Sequence, residues 1–262
     1  DRKEWDVTVC THNDGSYWDK LIALEIIPYD LVLRKLSLST FLKLLRILRK
    51  EKPDLIHTHG KGPGLYGRLL GWMLGIPVVH TFHGFQYKLL PTIQRWFYLF
   101  VENVLTLLTK YHIFVGNGEK NKAKILMFLN DSNSSVVNNG IDLDAIQALP
   151  LAEEVIASLD LGSRESIKIF GTLSRVSPEK GLDTLLEGFS EAIKTAPYIR
   201  LLIIGDCPDE HEKYINTVKQ YIHTNGLNKV VKILGPREDA LEILKSIDFY
   251  ISSSRSEGLP YN

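Results

Sequence analysis

Very little in this sequence could staple, anchor or electrostatically steer the chain. Its 2 cysteines, Cys10 and Cys207, stand far apart and outside any metal-ligand spacing, which argues against a disulfide framework or a cysteine metal site and suits a reducing cytoplasm. Net charge is lacking too. Lys and Arg number 31, Asp and Glu number 31, so no global field draws the chain to a polyanion, which counts against nucleic acid as main partner. No uncharged apolar run reaches the ~18 residues of a membrane span. The nearest approach, Trp96 to Thr109, carries Glu102 and Asn103. No Gly-x-Gly-x-x-Gly follows a strand-like run, and Gly116-Asn-Gly118 lacks the Lys-Ser/Thr of a phosphate loop, which counts against nicotinamide and P-loop chemistry.

What is present is an ordinary globular composition: 262 residues, 44% hydrophobic and 24% charged, enough for one large or two ordinary domains. Apolar runs of strand length fall at 6–11, 23–27, 55–59, 78–82, 112–115, 135–138, 167–173, 200–204, 230–234 and 249–252. Between them lie helix-length amphipathic stretches at 40–51, 64–74, 92–109, 120–130, 142–149, 152–159, 181–194, 211–225 and 237–246. Such alternation predicts parallel sheets covered by helices. The rhythm pauses between Leu149 and Ser166, which places a domain boundary near 150 and gives domains 1–150 and 151–262. A strand-like run begins almost at residue 1 and the chain stops in a loop at Asn262, so the sequence reads as a fragment of a longer one.

In doubly wound sheets ligands bind beyond the carboxyl ends of strands, so the polar strand endings are where a site is expected. Phe170-Gly-Thr-Leu-Ser-Arg-Val-Ser-Pro-Glu-Lys-Gly181 runs from a buried strand through a polar loop into a helix. Arg175 and Lys180 there face a helix N-terminus, an outline of a diphosphate site or else two surface cations on a solvated loop. Ser256-Glu-Gly-Leu-Pro260 offers a carboxylate, Glu257, beside backbone that Gly258 leaves approachable, which suits sugar hydroxyls or is simply an exposed turn. His57 and His59 alternate onto one strand face, and His80 and His83 end the next strand. A metal pair lacks a third ligand at suitable spacing. His83 reads better as a hydrogen-bonding imidazole, and His80 as a packed strand histidine. Asp142-Leu-Asp144 looks like a metal-holding pair but follows Asn139-Gly140 and reads as a helix start capped by Asp142. The basic amphipathic stretch 40–50 and the aromatic run Trp96-Phe-Tyr-Leu-Phe100 suit either packing on a sheet or peripheral contact with a membrane.

Taken together, Pro53-Asp-Leu-Ile-His-Thr-His-Gly60, Gly75-Ile-Pro-Val-Val-His-Thr-Phe-His-Gly84, Val137-Asn-Asn-Gly-Ile-Asp142, the 171–181 loop, Ile203-Ile-Gly-Asp206, Leu234-Gly-Pro236 and Ser256-Glu-Gly-Leu-Pro260 resemble the family 4 glycosyltransferases, in order and spacing over nearly the whole chain. The resemblance implies a GT-B fold, α/β with two Rossmann-like domains facing across a cleft, the second incomplete here. It implies retaining sugar transfer from a UDP- or GDP-sugar to a cell-envelope polysaccharide, lipid-linked or glycolipid acceptor, with no metal or other cofactor. By matching position, Arg175 and Lys180 would neutralise the diphosphate. Glu257, helped by the amides around Gly258 and Leu259, would bind the donor sugar, and His83 would touch it near the reaction centre. Gly171, Gly205 and Gly235 would lie on the donor side, and His59 with His83 on the acceptor side. The expected setting is cytoplasmic, peripheral on the inner membrane. A nucleotide-sugar-binding remnant and a sugar-nucleotide epimerase on the same fold are the alternatives.

Overall fold

The computed structural model describes residues 4–13, 16–84 and 91–255, and the expectations for Glu257, Gly258 and Leu259 lie outside them. Packing divides the chain into two compact units, Asp1–Asn139 and Gly140–Asn262. The break falls ahead of the expected position near 150. Helix α6 (Leu143–Ala148) belongs with the second unit because the Lys245 ammonium donates to the carbonyls of Gln147 and Leu149 that frame its end. Asp142 caps it as expected, its carboxylate accepting from Ala145 N at 2.9 Å.

In the first unit a short parallel pair, β1 (Cys10–Thr11) and β2 (Tyr29–Asp30), flanks α1 (Ser16–Ala23). The strand expected at 23–27 is absent, because that apolar run is the frayed end of α1: Glu25 turns left-handed at φ 56° and Ile26 N donates back to Leu21 O. After α2 (Leu38–Glu51) comes a four-stranded parallel sheet in the order β3 (Ile56–His59), β4 (Val78–Phe82), β5 (Tyr111–Phe114), β6 (Ser134–Val136). Its crossovers are α3 (Lys61–Leu74), α4 (Thr92–Leu107) and α5 (Asn117–Leu126). Helix α3 sits unusually close to the sheet. A Cβ on Gly64 would lie 2.5 Å from His80 Cε1, and one on Gly67 would lie 2.3 Å from Thr58 Cγ2. Between α3 and α4 the fully buried Arg68 guanidinium donates to both Glu102 oxygens, at 3.0 and 3.3 Å, and its Nε to Gly64 O. Removing one partner of such a pair costs about 3–5 kcal/mol, so α3 and α4 are fixed against each other.

The second unit repeats the plan, with sheet order β10 (Phe249–Tyr250), β7 (Lys168–Leu173), β8 (Ile199–Ile204), β9 (Val231–Gly235), all parallel. Central β8 is apolar at nearly every position because both its faces are covered. Leu201 and Ile203 pack under α8 (Leu182–Thr195) and α9 (Glu212–Thr224). Leu202 and Ile204 face the other way, toward Ile156 of α7 (Glu153–Ser158) and Ile243 of α10 (Ala240–Lys245). At about 1.5–3 kcal/mol per buried aliphatic side chain, these two layers hold β7 and β8 rigidly, and the loops at their carboxyl ends inherit that rigidity.

Candidate functional site

In the second unit the carboxyl ends of three strands are stitched side by side. Ser174 N donates to Ile204 O at 3.0 Å, Val176 N to Asp206 O at 2.7 Å, and Gly205 N to Gly235 O at 2.9 Å. Gly205 makes this possible. At φ +139°, a Cβ there would lie 1.9 Å from Ser174 O. Gly235, at φ +70°, has open space where its side chain would be. Gly171 is buried within β7, where a Cβ would meet Ile247 Cδ1 at 2.6 Å, so this strand packs closely on Ile247.

From β7 the chain passes exposed Arg175, then a single 3-10 turn, Pro178–Lys180, before Gly181 opens α8 in the left-handed conformation at φ 64°. This turn is clasped by the segment after β10, the strand that pairs directly with β7. Ser253 Oγ donates to Lys180 O at 2.9 Å, and a Cβ on Gly181 would come within 2.3 Å of Ser253 O. Arg255 N donates to Glu179 O at 2.8 Å, and the Arg255 guanidinium reaches Pro178 O, Asp183 Oδ2 at 2.7 Å and Thr184 Oγ1 at 3.2 Å. Tyr214 OH completes the cluster by donating to Asp183 Oδ1 at 2.9 Å. The sequence singled out neither Arg255 nor Asp183. Their only local signal is a cation just before Glu257 and a carboxylate in the first turn of α8. Arg175, Lys180, Gly205 and Gly235 thus end or follow strands at the carboxyl end of one sheet, with the two cations in the loop that opens α8, an arrangement suited to an anion.

In the first unit the strand-end histidines form a row. His57 and His59 share a face as expected, ring centroids 4.3 Å apart, and His59 Nδ1 lies 3.0 Å from His83 Nε2. Only one of those two nitrogens can carry the shared proton. Burial, then the neighbouring His57 and His83, push the His59 imidazole down to about 4, and burial lowers His83 as well, so the pair is neutral at neutral pH. His80 is the packed histidine expected, buried with Nδ1 2.8 Å from Thr58 Oγ1. Among the described residues no group of three or more His, Cys, Asp or Glu is placed to hold a metal ion.

The two segments singled out for membrane contact differ. Helix α2 packs Thr40, Leu44 and Leu48 inward and leaves Lys43, Arg46, Arg49 and Lys50 outside. Helix α4 buries Glu102, Leu105 and Thr106 and turns Ile93, Trp96, Phe97, Phe100, Val104 and Leu107 outward, the three aromatics 66–69% exposed. Among the described residues no helix is long and apolar enough to cross a membrane.

Residues 1–145 match the family model of Glycosyltransferase Family 4, and residues 167–262 that of Glycosyl transferases group 1. A UDP-Gal:alpha-D-GlcNAc-diphosphoundecaprenol alpha-1,3-galactosyltransferase of Escherichia coli is 27% identical over 278 residues, covering 98% of this chain and 68% of that protein. An alpha-monoglucosyldiacylglycerol synthase of Streptococcus pneumoniae is 28% identical, covering 87% of this chain and 53% of that protein. Among solved structures, Anabaena HepE in complex with UDP and glucose aligns with a TM-score of 0.76 at 18% identity, covering 94% of this chain and 66% of that one. The chain therefore spans between about half and two thirds of the length of these relatives. The structural likeness shows the fold, of the GT-B type with Rossmann-like domains that the sequence led us to expect.

Proposed function

The chain belongs to glycosyltransferase family 4, and from that premise we propose that it serves retaining transfer of a sugar from a nucleoside diphosphate donor to a lipid-linked, glycolipid or polysaccharide acceptor. The observation that carries the donor half is the stitching of the β7, β8 and β9 ends, which sets Arg175, Lys180, Gly205 and Gly235 at the carboxyl end of one sheet. In the transfer the bond from the anomeric carbon to a diphosphate oxygen breaks and a bond to an acceptor hydroxyl oxygen forms. Negative charge grows on the departing diphosphate while the hydroxyl gives up its proton. Preorganised cations do most where such charge develops, and Arg175 and Lys180 are assigned to it, a task that requires no metal ion. Backbone at Gly205 and Gly235 takes the nucleotide side. Glu257, with the amides around Gly258 and Leu259, takes the donor-sugar hydroxyls. His83 is assigned to the donor sugar near the reacting carbon, and His59 with His83 to the acceptor side.

The names of the two relatives above speak of lipid acceptors. The aromatic outer stripe of α4 and the basic outer face of α2 fit an acceptor met at an anionic membrane surface, the stripe entering the headgroup region and the cations holding the lipid charge. Titration of UDP and GDP into the chain tests the donor assignment. Lys180→Ala is expected to weaken nucleotide binding about tenfold or more, since it removes a charge-assisted contact to a phosphate. His83→Ala is expected to leave nucleotide affinity near parental and to depress turnover with a sugar nucleotide. Unchanged nucleotide affinity in Lys180→Ala would remove the diphosphate assignment.

A further inference from the structure

The first turn of α8 presents a conflict for the reading just given. Its positive end suits a diphosphate, yet Asp183 sets a carboxylate there, and a like charge beside a bound anion opposes it. The structure resolves the conflict with a residue from the other end of the unit. Arg255 meets Asp183 Oδ2 at 2.7 Å, while its backbone N–H and guanidinium hold Glu179 O and Pro178 O of the turn that carries Lys180. We propose that Arg255 is a positioning residue of the diphosphate loop that acts through Asp183, masking its charge at the α8 N-terminus, while its contacts to the turn before α8 hold the guanidinium in place to do so. The inference rests on the diphosphate reading of Arg175 and Lys180. The guanidinium and the Tyr214 hydroxyl hold the Asp183 carboxyl below the usual carboxylate range, so the charge to be masked is present at neutral pH.

The ion pair is not there for stability. Arg255 and Asp183 side chains are 41% and 46% exposed, and pairs so exposed contribute about 0–1 kcal/mol to folding. Their effect belongs on the ligand, which brings its own charge close to Asp183.

A double-mutant cycle on UDP affinity, read by calorimetry at low and high salt, tests this. Arg255→Met is expected to bind UDP about tenfold more weakly at low ionic strength, with unfolding almost unchanged, and the deficit should shrink at high salt as the unmasked carboxylate is screened. Asp183→Asn alone should stay near parental. Combining the two should recover most of the loss, because the repelling charge is gone. Parental affinity in Arg255→Met overturns the inference, and so does a double variant as weak as Arg255→Met, which would mean direct contact with the nucleotide or plain scaffolding. Lys180→Ala is the separating control. If it binds UDP and GDP normally, or if the parent binds neither, the diphosphate reading itself falls. A weakened Lys180→Ala beside a parental Arg255→Met removes only the role of Arg255.

Discussion

Gly205→Ala puts the stitched strand ends to a severe test. Gly205 holds φ +139°, a conformation that residues with a side chain rarely adopt, at a cost of about 1–3 kcal/mol. The added Cβ would also stand 1.9 Å from Ser174 O and 2.7 Å from Ser174 C, both backbone atoms that cannot rotate aside. Ordinary contact requires a retreat of more than roughly 1 Å, and overpacking of that kind costs about 1–3 kcal/mol more. The sum, about 2–6 kcal/mol, corresponds to a urea midpoint lowered by about 1–3 M at a slope of about 2 kcal/mol per molar. Because Ser174 is the residue before Arg175, the displacement falls directly on the loop that carries the two cations. UDP affinity should therefore drop by about tenfold or more even at temperatures where the variant is folded. Gly188→Ala is the control: it sits in α8 with nothing within 4 Å of its Cβ, and should raise stability by about 0.5–1 kcal/mol without touching UDP binding. A Gly205→Ala chain with the parental midpoint would refute the backbone geometry. A destabilised chain with parental UDP affinity would keep the geometry and refute its link to the ligand.

Two further outcomes follow from the first unit. His57, His59, His80, His83 and His112 are all held below their ordinary range, burial being the leading cause in each, with His59 and His112 near 4. The unfolded chain protonates them near 6.5, so below that pH it binds more protons than the folded one; stability should be level above about pH 6.5 and fall steadily toward about 4. Urea midpoints that stay flat between pH 7.5 and 5 would contradict this. Vesicles containing anionic lipid should bind the chain. Trp96→Ser with Phe100→Ser should weaken that partition by about tenfold or more, and neutral vesicles should bind less well because the basic face of α2 loses its counter-charge. If the double substitution instead abolishes self-association and leaves vesicle binding alone, the α4 stripe is a contact between copies of this chain and not a lipid face.

How much of this could be read beforehand depends on how local each cause is. The β8 run Ile-Arg-Leu-Leu-Ile-Ile is legible because a strand covered on both faces must be apolar at successive positions, and the row of His57 and His59 follows from alternation alone. The run 23–27 misleads for the same reason: five residues, mostly apolar, fit the end of a helix as well as a strand, and only the left-handed turn at Glu25 decides. At the start of α3, Lys61-Gly-Pro-Gly64 reads as a loop. Yet Pro63 fits a first helical turn, and Gly64 is there to let the helix lie on His80, a reason that exists only once β4 is beside it. The candidate site divides in the same way. Arg175, Lys180, Gly205 and Gly235 stand at strand ends, where the topology of any doubly wound sheet directs attention. Arg255 does not, since its partners Pro178 and Asp183 lie 77 and 72 residues earlier. What joins them is the register of β10 on β7, Phe249 opposite Phe170 and Tyr250 opposite Gly171, which carries the chain after Tyr250 alongside the turn after Leu173. A residue whose work is to correct the charge of another becomes visible only when that pairing is known. The charge it corrects, at Asp183, is therefore the place where further such residues should be sought.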